Sequence, residues 1–279
     1  MAIILDGKKL RDKILEELAQ RLEKYDSRPT LAVILAGDNP ASRIYVNNKK
    51  KTAEKLGINS VVINYPSNVD ETTILKKIEE LNNDETITAI LVQLPLPEHI
   101  DKFNIINAIK PEKDVDGFTI ENSGKLFTGI KPHAYPCTPR GIIRLLDEYN
   151  IEIEGKHVVI AGRSNIVGKP LSQMLLARNA TVTVCHSRTK NLAEITKTAD
   201  IVVSAVGGKI IGKNMLKSGC VVIDVGIFKD ENGKTRGDVD FEEVSSNASY
   251  ITPVPGGVGP MTIAMLMSNT VELFEKSFV

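Results

Sequence analysis

The stretch VVIAGRSNIVGKPLS, residues 158–172, reads as an apolar strand, a glycine turn and the opening of a helix. Val158 to Ala161 run without a polar interruption, as a strand covered on both faces requires. Gly162 permits the tight turn that ends the strand. Gly168 permits close approach of helix and strand, and the amides that open the helix can face a pyrophosphate. Five residues separate the two glycines, a departure from G-x-G-x-x-G. By itself the turn suits any α/β protein as well as a dinucleotide site.

The same alternation continues on both sides. TVTVCHSR (181–188), DIVVSAVGG (200–208), CVVIDVGIF (220–228) and SYITPVPGG (249–257) read as strands, with a helix from about Pro170 and another before residue 200. Toward the amino terminus, TLAVILAG (30–37), INSVVINYP (58–66) and TAILVQLPLP (88–97) are strands. A helix over 40–56 is opened by Asn39 and Pro40 and closed by Gly57, and one over 71–82 is capped by Asp70. This β-α-β-α-β order implies a parallel sheet covered by helices. PHAYPCTPRG (132–141), with three prolines, reads as a rigid connector, and the segment from Pro260 is apolar at helical spacing without a sheet of its own. The expectation is an α/β protein of two domains, each a parallel sheet flanked by helices. Residues 1–139 plus 260–279 form the first, with the final helix returning to it; residues 140–259 form a Rossmann-like second domain.

Length and composition set limits on function. The chain has 279 residues, enough for two domains. Its 35 basic and 35 acidic side chains give a formal charge of zero, so nothing draws it to nucleic acid or an anionic membrane; the absence of Trp also argues against base stacking. Cys137, Cys185 and Cys220 are odd in number and widely spread, fitting neither a disulfide framework nor a zinc knuckle, and no metal is expected. The apolar start of MAIILDGKKL is too short for a signal sequence, and no apolar run approaches a membrane span. A cytoplasmic protein is expected.

An NAD site places a carboxylate about 20 positions after the glycine turn, to hold the ribose hydroxyls. Here the corresponding residues are His186, Ser187 and Arg188, and Arg163 stands inside the turn itself. Hydroxyls and guanidinium groups suit an added 2′-phosphate, so NADP is expected over NAD, unless both arginines are simply solvated. On the other side of the molecule, Gln93 interrupts the end of an apolar strand, and Asp116 lies in KDVDGF, where Asp114 reads as an ordinary turn residue. Tyr45 and Lys49, four apart, share a helix face, whereas Lys50 and Lys51 are rotated off it by about 100° and 200°. That face is a candidate for a ligand cleft; a solvated lysine beside a half-buried tyrosine has the same spacing. In ITPVPGGVGPMT (251–262), Pro253 and Pro255 fix the approach while Gly256, Gly257 and Gly259 let backbone come near a ligand.

Six segments, YVNNK, VQLPLP, DVDGF, PCTPRG, GRSNIVGKP and TPVPGGVGPMT, occur in one order along nearly the whole chain. In this the sequence resembles the bifunctional methylenetetrahydrofolate dehydrogenase/cyclohydrolase (FolD) family. The resemblance implies oxidation of 5,10-methylenetetrahydrofolate with NADP, then hydrolysis of the methenyl product to 10-formyltetrahydrofolate in the same cleft, by a homodimer. It implies that Tyr45 stacks on the folate, Lys49 is the essential lysine with Gln93 as partner, and Asp116 anchors the pterin. Gly162, Arg163, Ser164, Ser187 and Ile227 would line the NADP site, and Pro255, Gly256, Gly257 and Val258 would border the folate. Gly168 and Arg188 join the cofactor set from the reading of the glycine turn.

The residue types agree with that chemistry. Hydride transfer leaves a cation delocalised over two nitrogens, so no side chain need remove a proton; donor carbon and nicotinamide must be held face to face. In the hydrolytic step a neutral amine can take a proton from the attacking water, and a desolvated site beside a cationic substrate favours a neutral lysine. Three rival readings are a dehydrogenase without hydrolysis, a non-catalytic NADP-sensing module, and a two-domain NADP dehydrogenase acting on a shikimate-like hydroxyl. The last would not need the proline-glycine loop.

Overall fold

The computed structural model describes residues 1–278. The chain opens with a short strand β1 (Ile3–Ile4) and helix α1 (Gly7–Leu22). The next three apolar runs form β2 (Thr30–Ala36), β3 (Asn59–Tyr65) and β4 (Ala89–Val92), with α2 (Pro40–Lys55) and α3 (Glu71–Asn83) in the crossovers. The order is β3-β2-β4, all parallel. β2, apolar after Thr30, is buried at every position in the middle, while β3, carrying Asn59, Ser60 and Asn64, takes the more exposed edge. Because β2 leads to β3 on one side and the chain then returns to place β4 on the other, the topological switch lies between β2 and β4. Asn39 caps α2 by accepting from Ala41 N and Ser42 N at 2.9 and 3.2 Å. Asp70 precedes α3, but its side chain makes no capping bond. β4 stops four residues into its apolar run, since Pro95 and Pro97 have no N–H to carry the ladder onward.

Beyond β4 come α4 (Lys102–Asn107) and α5 (Ile120–Phe127). The segment between them runs along the free side of β4, with Ile90 N donating to Lys113 O at 2.8 Å. The expected connector at 132–141 is shorter than its prolines suggest. Helix α6 (Cys137–Glu148) begins inside it, with Pro139 in the first turn, where no N–H is needed.

The second half continues with β5 (His157–Ala161), α7 (Gly168–Leu176), β6 (Thr181–Cys185), α8 (Leu192–Thr196), β7 (Ile201–Ser204) and β8 (Val221–Asp224). Phe228, expected to prolong β8, instead belongs to β9 (Phe228–Lys229), which pairs antiparallel with β10 (Thr235–Arg236). Then follow α9 (Phe241–Ser245), β11 (Tyr250–Ile251) and α10 (Val258–Lys276). The strand order is β1-β11-β8-β7-β5-β6, parallel throughout. β5 leads to β6 on one side and the chain returns to β7 on the other, so this switch lies between β5 and β7.

The chain divides into two compact units, one of residues 13–137 with the segment from Ile263, the other of residues 1–12 with 138–262. In the first unit α10 is tied down by Asn269, whose Nδ2 donates to Val115 O at 2.7 Å and to Tyr135 O at 2.8 Å. The amino-terminal residues correct the expected division at 1–139. β1 pairs parallel with β11, Leu5 N donates to Ile251 O at 2.9 Å, and Leu5 is fully buried. The short apolar start announces a strand but not its partner, which lies far along the chain.

Candidate functional site

The buried stripe of α2 consists of Ser42, Val46, Lys49 and Ala53, spaced for one helix face against a sheet. Lys49 therefore belongs to the packed face and is 9% exposed, whereas Tyr45 beside it is 37% exposed and Ile44 61%. Lys50 and Lys51 are on the wet side. This inverts the bland alternative for the helix, since the lysine is buried and the tyrosine is more open.

Lys49 Nζ donates to Gln93 Oε1 at 2.9 Å. The amide of Gln93 is held at its other end, Nε2 donating to Leu94 O at 2.7 Å, so its oxygen faces the lysine. Gln93 N donates to Ile34 O at 2.9 Å, one rung past the end of β4, which fixes where the side chain leaves the sheet. The Lys49–Gln93 bond thus joins the helix after β2 to the carboxyl end of β4, across the switch where ligands bind in open parallel sheets.

Asp116 reaches the same place along the strand-like segment beside β4. Asp114, buried, builds the turn beneath it by accepting from Gly117 N at 3.0 Å, Thr119 N at 2.8 Å and Asn122 Nδ2 at 3.0 Å. Gly117 has φ +68, and a Cβ there would lie 2.4 Å from Ala134 O. The thiol of Cys137 donates to Asp116 Oδ1 at 3.5 Å. Burial pushes the Asp116 carboxyl above the ordinary carboxylate range; the charge of Lys49 opposes this and that of Asp114 adds to it. The result is one cation, one oriented amide and one carboxyl that is easier to protonate than usual. Such a set can bind a polar heterocycle and handle the proton of a water. Cys137 and Asn269, which brace Asp116 and its segment, are not among the residues singled out from sequence. The available signals are the PCTPRG segment and the one amide side chain of the final helix.

The glycine turn after β5 is backbone-built. Gly162 has φ +128, and a Cβ there would fall 2.5 Å from Ala205 O; a Cβ on Gly168 would fall 2.0 Å from Gly162 O. Ser164 Oγ accepts from Val167 N at 3.1 Å, shaping the approach to α7. After β6, His186 to Thr189 form a tight turn in which His186 N donates to Thr189 Oγ1 at 2.8 Å and Thr189 N to His186 O at 2.8 Å. Arg163, Ser164, Ser187 and Arg188 are all exposed, and among the described residues neither guanidinium has a carboxylate partner. Ile227, 48% exposed, follows β8 and approaches Gly259. Glycines that admit close backbone approach, a helix start and two unengaged guanidinium groups fit a phosphorylated dinucleotide.

Pro255 to Val258 belong to this same unit. Gly257 N donates to Pro253 O at 2.8 Å, and Lys8 N to Gly256 O at 3.1 Å. A Cβ on Gly7 would lie 1.8 Å from Gly257 O, so the loop is clasped by the start of α1. The sequence-predicted residues therefore divide: Tyr45, Lys49, Gln93 and Asp116 in one unit, the glycine turn, arginines, Ile227 and proline-glycine loop in the other. The three cysteines are buried, and among the described residues none is in a disulfide. Among the described residues no group of His, Cys, Asp and Glu could hold a metal, and no helix is long and apolar enough to cross a membrane.

Comparison with known proteins matches both halves of the chain. Residues 5–116 match the tetrahydrofolate dehydrogenase/cyclohydrolase catalytic domain, and residues 136–278 match the NAD(P)-binding domain of that family. The chain is 55% identical to the bifunctional protein FolD of Ligilactobacillus salivarius over 99% of its own length and 98% of the relative's. The crystal structure of the bifunctional FolD enzyme from Campylobacter jejuni superposes with a TM-score of 0.97 at 50% identity, covering 99% of this chain and 100% of that one. The Trypanosoma brucei enzyme, solved with NADP and an inhibitor, gives 0.95 at 39% identity, covering 99% and 98%. Matched over both domains and nearly its whole length, the chain belongs to the tetrahydrofolate dehydrogenase/cyclohydrolase family.

Proposed function

We propose that this chain oxidises 5,10-methylenetetrahydrofolate with NADP and hydrolyses the resulting methenyl compound to 10-formyltetrahydrofolate. The observation that carries this reading is the buried Lys49, bonded to Gln93 at 2.9 Å and electrostatically coupled to Asp116, in a chain of this family. When bound, NADP supplies the hydride acceptor. In that step the protein's own residues need only orient. Asp116 holds the pterin through its ring nitrogens, and the exposed ring of Tyr45 stacks on the folate. Gly162, Gly168, Ser164 and the helix start receive the pyrophosphate. Arg163, Ser187 and Arg188 meet the 2′-phosphate, Ile227 supplies an apolar wall, and Pro255 to Val258 border the folate.

Hydrolysis asks more of the side chains. Water adds to the methenyl carbon, and Lys49 in its free-base form takes the departing proton. One carbon–nitrogen bond then breaks as the lysine returns the proton to the nitrogen that leaves, and the hydroxyl proton of the adduct passes to solvent as the formyl C=O forms, one proton being released overall. Gln93 Oε1 holds the amine in place throughout, which is worth rate only if the geometry is kept to a fraction of an ångström. In Lys49→Ala, methenyl hydrolysis, followed by loss of its absorbance with correction for the uncatalysed reaction, disappears while NADP binding persists; unaltered hydrolysis refutes the role. The buried reduced thiols and the family resemblance support a cytoplasmic homodimer, and sedimentation equilibrium returning a monomer refutes the dimer.

A further inference from the structure

Strands β5, β7 and β8 end in one row, Ala161 being the Cα partner of Ser204 and Ser204 of Asp224. The segment after β7 therefore faces the Gly162 turn across the β5/β7 switch, and Ala205 O is the atom that a Cβ on Gly162 would strike. Residues 205–208 and 225–227 are walls of the region that ligands use in such a sheet. Gly207 has φ +77 and is followed by a second glycine, so this segment has little stiffness of its own.

Its stiffness comes from two buried carboxylates. Asp238 is fully buried: its Oδ2 accepts from Ser204 Oγ at 2.9 Å and Val206 N at 2.8 Å, and its Oδ1 from Gly208 N at 2.8 Å. Asp224, 4% exposed, accepts on Oδ1 from Gly226 N at 3.0 Å and Asp238 N at 2.9 Å, and on Oδ2 from Val239 N at 3.0 Å. Two glycines make room for them. A Cβ on Gly226 would fall 1.8 Å from Asp238 Oδ1, and one on Gly237 would fall 2.0 Å from Asp224 Oδ2. Among the described residues neither carboxylate has a cationic partner. Burial pushes the Asp224 carboxyl up to about 6, against the pull of its backbone donors from Asp238 and Val239, and the charge of Asp238 adds to the rise. Apolar side chains would serve stability at less cost than unpaired buried acids. These acids stand where backbone must be presented to a ligand.

We infer that Asp238, with Asp224 behind it, is a positioning residue for the dinucleotide: its carboxylate fixes Val206 to Gly208 opposite the glycine turn, while Asp224 fixes the segment leading to Ile227. This rests on the dinucleotide reading of the Gly162–Gly168 turn. The test uses the full chain and the variants Asp238→Asn, which puts an amide where one oxygen faces N–H or O–H donors, and Ser204→Ala, which removes one donor and leaves the carboxylate. Calorimetric titration gives the NADP dissociation constant, and steady-state assays give both activities. Asp238→Asn raises the dissociation constant and the KM for NADP about tenfold, with a smaller change in dehydrogenase kcat. Ser204→Ala raises them about threefold. Hydrolysis of methenyltetrahydrofolate, which uses no dinucleotide, keeps its KM and rate within about twofold, which reports a folded chain. An NADP dissociation constant in Asp238→Asn equal to that of the unaltered chain overturns the inference, as does a parallel fall in hydrolysis and NADP binding in both variants. If Asp238→Asn does not fold, Ser204→Ala decides alone, and unchanged NADP affinity overturns it. An unaltered chain that takes up no NADP overturns the dinucleotide reading itself, before any variant is compared.

Discussion

The two units build parallel sheets that reverse strand order in the middle, and they equip the reversal differently. In the unit of residues 13–137 the switch carries side chains: Lys49, buried, and Gln93 and Asp116, half-buried, each held by a named partner. In the other unit it carries backbone: Gly162 and Gly168 with no room for a Cβ, and arginines left open to solvent. Proton transfer needs its groups held in fixed geometry beside the reacting atoms, and packing with hydrogen bonds is the means. A phosphorylated dinucleotide needs amides at close range and cations free to be engaged. Truncating side chains should therefore damage the first unit's chemistry, and adding atoms should damage the second's.

The sharpest break is Lys49→Arg. A guanidinium keeps the positive charge and cannot act as a free base, so methenyl hydrolysis falls by about a thousandfold while NADP affinity stays within twofold. A variant that still hydrolyses would remove proton transfer from the lysine. Next is Gly168→Ala, whose methyl would stand 2.0 Å from Gly162 O. We expect a loss of about 2–4 kcal/mol in denaturant unfolding together with loss of NADP binding, both larger than for Gly124→Ala, where nothing lies within 4 Å. Equal effects at the two glycines would contradict the backbone-built site. Arg163→Ala lowers the kcat/KM preference for NADP over NAD about tenfold, leaving hydrolysis intact; an unmoved ratio takes this arginine out of phosphate recognition.

The smallest effect concerns stability. The Asp116 carboxyl is raised by burial, so the folded chain holds a proton that the unfolded chain has released, from the ordinary carboxylate range upward. Stability from this group is present at low pH and is lost as pH rises. Asp116→Asn should accordingly melt a few degrees higher than the unaltered chain at pH 8, the gap closing toward pH 4, while folate affinity drops. A gap that widens on acidification would reverse the sign and discard the desolvation argument.

What sequence reading recovers is local. Asn39, Pro40 and Gly57 bound α2 by their own capping and turn chemistry, and the unbroken TLAVILA run declares a strand buried on both faces. The glycine turn is legible because its requirement for φ beyond the reach of other residues is written into residue type. Other features depend on register between distant elements. Whether Lys49 faces water or sheet turns on how α2 lies against β2, and three lysines in succession obscure the one that does. Asp224 closes an apolar strand and Asp238 sits in a polar stretch, so nothing nearby shows that each carboxylate fills the space of the other's glycine. Cys137 and Asn269 gain meaning only when residues far apart in the chain meet.

The pairing of β1 with β11 has a bearing on how the protein is made. Ile3 and Ile4 leave the ribosome long before their partners Tyr250 and Ile251 are made. The other unit waits as well, because Val115 and Tyr135 are bonded by Asn269, later still. Neither half can reach its final state until these later partners have been made, so meanwhile an unfinished sheet edge stands open to chaperones and to neighbouring nascent chains.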